Sequence, residues 1–158
     1  MYTLSQETAD DRAEVEALYD TCFAPGREAL SSYRLREGVS PVAELCLVAR
    51  DDLRIVAGAI RFWPVHVGAS DALLLGPIAV HPTRQGEGLG GLLMNASLNA
   101  AHTIGCDRIL LVGDAPYYKK FGFTPLHGVT MPPPTNPARV LGLGQWENVT
   151  GNVTRWGL

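Results

Sequence analysis

The order of predicted elements places this chain in the mixed α/β (α+β) class, as a central sheet flanked by helices. Three observations predict it. Two β-rich runs, residues 45–50 and 54–67, face each other across an Asp51-Asp52 turn and read as a hairpin. A third apolar run, residues 72–81, leads through a glycine-rich loop into Leu89, Leu92, Leu93, Ala96 and Ala100, which recur at helical spacing. The β-rich segment 108–112 follows at once and completes a strand–helix–strand unit, for which a right-handed crossover is expected. With 158 residues, 46% of them apolar and 18% charged, the chain has material for a single domain's core and too little charge for disorder. Residues 1–158 are read as that one domain.

In chain order, residues 2–6 alternate as a short strand, and Thr8 or Asp10 can cap a helix over 11–22 that buries Ala13, Val15, Leu18, Tyr19 and Cys22. After the breaker Ala24-Pro25-Gly26, a weaker amphipathic helix is expected over 27–37, ending at Gly38. Pro64 is expected to interrupt the second hairpin strand, because proline has no N–H for a ladder. The long helix over 88–104 stops at Gly105. A short helix over 116–121, a returning strand over 122–126 and a Pro-rich loop over 131–137 precede a last strand near 139–146. In that strand Gly142 and Gly144 suggest a bulge or a close backbone approach.

Composition excludes several function classes. The formal charge of −3, with no Lys/Arg block, argues against nucleic acid as a partner. No apolar run approaches the ~18 residues of a membrane span, and residues 1–10 carry no basic-then-apolar leader, so a cytoplasmic protein is expected. In that compartment the Asn-x-Thr triplets at Asn148 and Asn152 carry no meaning. Cys22, Cys46 and Cys106 form neither a disulfide framework nor a CxxC pair, and the four scattered histidines assemble no metal site.

The chemistry is concentrated in LGPIAVHPTRQGEGLGG, residues 75–91. Glycines 86, 88, 90 and 91 stand between a strand and the first turn of a helix, where unpaired N–H groups and the positive end of the helix dipole favour an anion such as phosphate. Gly86, Gly88 and Gly91 match GxGxxG, but the acid at Asp107 precedes a strand instead of ending one, and too little chain follows for a doubly wound sheet. No Lys-Ser/Thr follows the glycines, which excludes a Walker loop.

A third pattern accounts for more residues. Gln85-x-x-Gly88-x-Gly90, after the strand ending Ala79-Val80-His81-Pro82, resembles the pyrophosphate-binding signature of the GNAT acetyltransferase superfamily. PYYKKFGF, residues 116–123, is similar to that family's closing aromatic segment, and LREG (35–38), LGPIAV (75–80) and GDAPYY (113–118) resemble the YhbS-like branch. The resemblance spans nearly the whole chain. It implies a mostly antiparallel sheet, splayed where the motif strand and the next strand diverge. Acetyl-coenzyme A would lie there, with its pantetheine arm along the backbone of Ile78, Ala79 and Val80 and its pyrophosphate at Arg84, Gln85, Gly86, Gly88, Leu89 and Gly90. Gly76-Pro77 would supply the bulge. The bland alternative is a tight loop with no ligand.

The implied activity is acetyl transfer to an amine by direct attack, with Tyr118 as general acid and an N–H near Ile78 holding the oxyanion. The alternative for Tyr118 is a core aromatic with a hydrogen-bonded hydroxyl, and Tyr117 competes for the role. None of the cysteines lies in either motif, which speaks against an acyl-enzyme. Leu73-Leu74-Leu75 offers none of the acids that several family members place on this strand, so the general base stays open among Glu44, His66, Asp71 and water. Glu87 repels phosphate and is expected to point to solvent; Asp114 either replaces a family Asn or caps the short helix. The competing class is a non-catalytic acetyl-coenzyme A sensor or interaction module. The acceptor, a small-molecule or protein amine, stays open; Glu28, Glu37 and Glu44 hint at a cationic one or are simply solvated surface. The apolar final strand is able to pair across a homodimer.

Overall fold

Two long strands, β3 (Val56–Val67) and β4 (Ser70–Val80), run side by side from a turn at Gly68 and give every other element its place. Gly68 has φ +56°, and a Cβ there would stand 2.4 Å from the Thr150 carbonyl oxygen, so only glycine fits. The computed structural model describes residues 1–23 and 31–157. Its elements are β1 (Thr3–Gln6), α1 (Arg12–Cys22), α2 (Ser31–Arg34), β2 (Leu47–Arg50), β3, β4, α3 (Leu89–Thr103) and β5 (Arg108–Val112). Then follow α4 (Ala115–Lys119), β6 (Thr124–Pro125), β7 (Val129–Thr130), β8 (Val140–Gly144) and β9 (Gly151–Arg155). The fold is mixed α/β with mostly antiparallel strands. The chain divides into two compact units, and β3 and β4 each contribute one half to either.

The first unit holds residues 1–23, 42–62 and 76–104 of the described chain. β1 pairs antiparallel with β2 (Thr3↔Arg50), and β2 antiparallel with β3 (Leu47↔Ile60). The α1 face is Val15, Leu18 and Tyr19, packed with Val48, Val56, Ala59 and Ala79; Cys22 is half-buried, and the expected Ala13 is exposed instead. α3 is also turned from its expected face: Leu89, Leu93, Met94, Ser97 and Ala101 are buried, while Leu92 is 47% exposed. Ser97 tolerates burial because its hydroxyl donates to the Leu93 and Met94 carbonyls at 2.8 and 3.1 Å. Gly58 makes room for α3, since a Cβ there would stand 3.0 Å from Leu93 Cδ1.

Ion pairs fasten α1 to this sheet. Arg61 on β3 is nearly buried, and its Nε and Nη2 donate to Glu7 at 3.0 and 2.9 Å while Nη1 donates to Glu16 at 2.6 Å. Its guanidinium also lies 5.1 Å from the Tyr19 ring centroid. Arg50 does the same for the helix start, meeting Asp11 at 2.7 Å and Glu14 at 2.8 Å, while Asp11 accepts from the Thr8 N–H.

The second unit holds residues 31–41, 63–75 and 105–157 of the described chain. β4 pairs in parallel with β5 through Leu73↔Ile109 and Leu74↔Leu110, as the strand–helix–strand reading expects. β8 lies between β5 and β6, antiparallel to both. Trp63, Val65, Val67, Ala72, Leu74, Leu110, Val140 and Val153 form its core. Gly144 (φ +96°) passes so close to Asp107 that a Cβ would stand 1.7 Å from its carbonyl oxygen, the close approach expected there.

Four expectations change. Pro64 does not interrupt β3, because the β2 register ends at Ile60 and the β9 register begins at Val65, so its missing N–H costs no ladder bond. Of the helix expected over 27–37, residues 27–30 lie outside the described residues, and only Ser31–Arg34 is helical. The returning strand shrinks to Thr124–Pro125. The strand near 139–146 is not last: β9 follows it, and β8 is paired on both sides, so it offers no edge to a second copy.

Arg61→Leu is expected to cost about 3 kcal/mol or more, because it strands the Glu7 carboxylate at 11% exposure without a partner. Urea denaturation of the variant checks this. The double variant Arg61→Leu/Glu7→Leu is expected to regain most of the loss.

Candidate active site

The glycine loop belongs to the first unit. Loop residues Gly86 and Gly88 have φ +85° and +80°, and a Cβ at either would meet nothing within 4 Å, so the backbone turn, not crowding by the chain, demands glycine. The space beside the loop is open. Gly88 is the N-cap of α3; Leu92 makes the first helical bond to its carbonyl at 3.0 Å, so the N–H groups of Leu89, Gly90 and Gly91 precede the helical ladder. No acidic residue sits in that first turn. The helix therefore offers an anion a cluster of donors and the positive end of its dipole.

Upstream, the 3₁₀ turn Pro82–Arg84 is capped by His81, whose Nδ1 accepts from the Thr83 N–H at 3.2 Å. His81 also donates its own N–H to the Ala57 carbonyl at 2.8 Å, and the Ala79 carbonyl lies against Gly58 on β3. Strand alternation then turns the backbone polar groups of Ile78 and Val80 to the opposite edge of β4. The Val80 carbonyl is already engaged, accepting at 3.4 Å from both the Cys22 thiol and the Gln85 amide. Ile78 and the Val80 N–H make up the remaining edge. Ala79 points its polar groups at β3 and buries its side chain with Val15 and Tyr19.

Sequence reasoning missed what holds the charged loop residues. Arg84 Nη2 donates to Asp51 Oδ2 at 2.8 Å, and its guanidinium lies 5.8 Å from the Tyr2 ring centroid. Asp51, 8% exposed, also accepts from the Leu53 and Ile55 N–H groups at 2.9 and 3.0 Å, which together with Arg84 hold its carboxyl below the ordinary range. Glu87 does not simply point to solvent: the Tyr2 hydroxyl donates to it. That bond raises the phenol's pKa. The Asp51-Asp52 pair signals a turn in the sequence; nothing there signals its reach to Arg84.

Tyr118 lies in the second unit on α4, whose N-cap Asp114 accepts from the Tyr117 N–H at 3.2 Å, so Asp114 plays the capping role. Tyr118 is half-buried, with its ring edge-on to Tyr117 at 4.9 Å and to Phe123 at 6.1 Å. Gly113 makes room for it, since a Cβ there would stand 2.5 Å from Tyr118 Cε2. Burial pushes the phenol up to about 12, and its hydroxyl has no protein partner among the described residues. Tyr117 is exposed, with Lys120 Nζ 4.2 Å from its ring centroid.

Of the candidate bases, His66 and Asp71 are bonded to each other. His66 Nε2 accepts from the Gly157 N–H at 3.3 Å, which puts the ring proton on Nδ1, 3.1 Å from Asp71. The ring stacks on Trp156 at 4.5 Å, so His66 and Asp71 fasten the C-terminal segment. Glu44 is exposed in the turn Ala43–Leu45. Cys46 is buried and its thiol pushed up to about 11; burial raises Cys22 as well.

Comparison with known proteins shows the family. Residues 43–125 match the family described as the acetyltransferase (GNAT) domain. YhbS of Escherichia coli, named an uncharacterized N-acetyltransferase, is 33% identical over 115 residues, covering 72% of this chain and 68% of its own. Its crystal structure, solved in complex with CoA, superposes with a TM-score of 0.81 over 99% of this chain and 94% of that one. YjhQ of the same organism, also named an uncharacterized N-acetyltransferase, is 28% identical over 130 residues, 80% of this chain and 72% of its own. A GNAT family acetyltransferase from Brucella melitensis, solved with acetyl-CoA, is 28% identical, with a TM-score of 0.73 over 99% of this chain and 97% of that one. On the match over more than half its length and on its likeness to YhbS in sequence and fold, this chain belongs to the GNAT family of N-acetyltransferases.

Proposed function

We propose that the chain transfers the acetyl group of acetyl-coenzyme A to an amine by direct attack, with Tyr118 as general acid. The observation that carries the reading is the pair of left-handed glycines, Gly86 and Gly88, opening α3 beside open space, in the same unit as the Ile78–Val80 edge. The diphosphate takes the amides of Gly86, Gly88, Leu89 and Gly90, with Arg84 adding charge and Gln85 bracing the loop against Val80. The pantetheine amides add to the Ile78 carbonyl and the Val80 N–H as an extra strand would, with Ala79 as the spacer between them. CoA and acetyl-CoA in the YhbS and Brucella structures support this.

In the reaction the amine nitrogen attacks the thioester carbonyl, the Ile78 N–H holds the oxyanion, and the C–S bond breaks. The thiolate takes the Tyr118 proton, and the amine's proton leaves through water, since His66 is bonded at both nitrogens. With thiols raised by burial at Cys22 and Cys46, direct attack is favoured over an acyl-enzyme. The acceptor class stays at amine; Glu28 lies outside the described residues, and Glu37 and Glu44 are exposed. The lack of an acid at Leu73-Leu74-Leu75 favours a second reading, a binding module without turnover. Thiol release measured across an amine panel separates them: acceptor-dependent release supports the enzyme, and cofactor-stabilised folding without release supports the module. No change in melting temperature at saturating CoA rejects both.

Gly88→Asp is expected to weaken CoA binding at least tenfold, about 1.4 kcal/mol. Gly88→Asn has the same shape and tolerates positive φ equally, so both variants share a folding cost of about 1 kcal/mol, and only the charged one adds repulsion. Calorimetric titration and unliganded melting of the pair test it; equal affinities in the two would refute the diphosphate assignment.

Tyr118→Phe is expected to lower kcat about 100-fold while leaving the CoA dissociation constant within about twofold of the wild type. Because the folded phenol sits near 12, above its ordinary 10.0, the proton is held throughout the working range. Its contribution to stability is whole below pH 10 and is lost as pH rises through about 12. The rate profile should accordingly rise with deprotonation of the amine and show no descending limb below pH 10. A limb near pH 8 would assign the acid elsewhere.

A further inference from the structure

We propose that Asp51 and Tyr2 are positioning residues for the cofactor loop, Asp51 fixing Arg84 and Tyr2 tethering Glu87. The proposal rests on the reading above that this loop takes a diphosphate. Four residues from three distant segments meet here: Tyr2 just before β1, Asp51 in the β2–β3 turn, and Arg84 and Glu87 either side of Gly86. Asp51 is itself immobile, because Oδ1 holds the Leu53 and Ile55 N–H groups at 2.9 and 3.0 Å and leaves Oδ2 for Arg84 at 2.8 Å. A free arginine side chain must be ordered when it meets a phosphate; one already held at a single nitrogen has lost that freedom and keeps further donors for the ligand.

Glu87 poses the opposite problem. A carboxylate in a loop that opens a helix competes with phosphate for the helix's first N–H groups. The Tyr2 hydroxyl gives it another partner, on β1's side of the unit. Asp51 thus orders the loop's cation and Tyr2 occupies its anion, both before any cofactor arrives. Neither needs to touch the cofactor.

Calorimetric titrations of the full chain with CoA, and with pantetheine, which has the arm and no phosphate, test this. Asp51→Asn keeps the Oδ1 acceptor and replaces the Oδ2 that accepts from Arg84 with an amide N–H donor, removing both the charge and the bond. It is expected to weaken CoA about tenfold and to leave pantetheine unchanged, and adding Arg84→Gln to it should bring no more loss than Arg84→Gln alone. Tyr2→Phe, which spares the Asp51 turn, is expected to weaken CoA about threefold, and Glu87→Gln in that background to restore it. Asp51→Asn binding CoA as tightly as the wild type, or losing CoA and pantetheine alike, overturns the positioning role. A wild type that binds no CoA overturns the diphosphate reading itself, which separates the two failures.

Discussion

The position of α1 on the sheet traces back to one nearly buried guanidinium. Arg61 on β3 gathers Glu7 and Glu16 and lies over the Tyr19 ring, which pins α1 across the first unit. From there α1 reaches the second half of β4 with two polar groups: the Tyr19 hydroxyl donates to the Pro77 carbonyl at 3.2 Å and the Cys22 thiol to Val80 at 3.4 Å. Those bonds hold the backbone of β4 at Pro77 and Val80 against the helix. A buried ion pair of this kind adds little net stability against an apolar replacement, but it fixes orientation, since its bidentate geometry is satisfied in one arrangement.

β4 answers two demands in one strand. Residues 72–75 bury side chains in the second unit, where Leu73 and Leu74 pair with β5. From Gly76, at φ +141°, the strand belongs to the first unit, where its Pro77 and Val80 carbonyls accept from α1. That change of role explains the absence of an acid at residues 73–75: those positions are core in this chain, where an unpaired carboxylate would be costly.

Burial raises the Tyr118 phenol and the Cys46 thiol alike. The same desolvation that keeps the Tyr118 phenol protonated keeps Cys46 a thiol and so a poor nucleophile. In the loop, the charges that matter are compensated locally, Arg84 by Asp51 and Glu87 by Tyr2. Between them lie Gly86, at φ +85°, and beyond it Gly88, at φ +80°, with open space where a Cβ would stand.

Much of this was legible in the chain itself, because the relevant signals are local. Glycine at 86 and 88, at 105 and at 144 answers to backbone conformation, and the strand and helix periods of 72–81 and 89–103 mark the elements they join. The family resemblance rests on the same short segments. What the tertiary structure alone decided are relations across long separations: which face of α3 is buried, that Pro64 falls between two partners, that β8 is internal and β9 follows it. It also decided that Asp51 finds Arg84, that Tyr2 finds Glu87 and that His66 is spent on the C-terminal segment. Periodicity and turn chemistry fix a residue's own backbone, whereas the partner of a charge or the filling of a strand edge depends on which distant segments packing brings alongside.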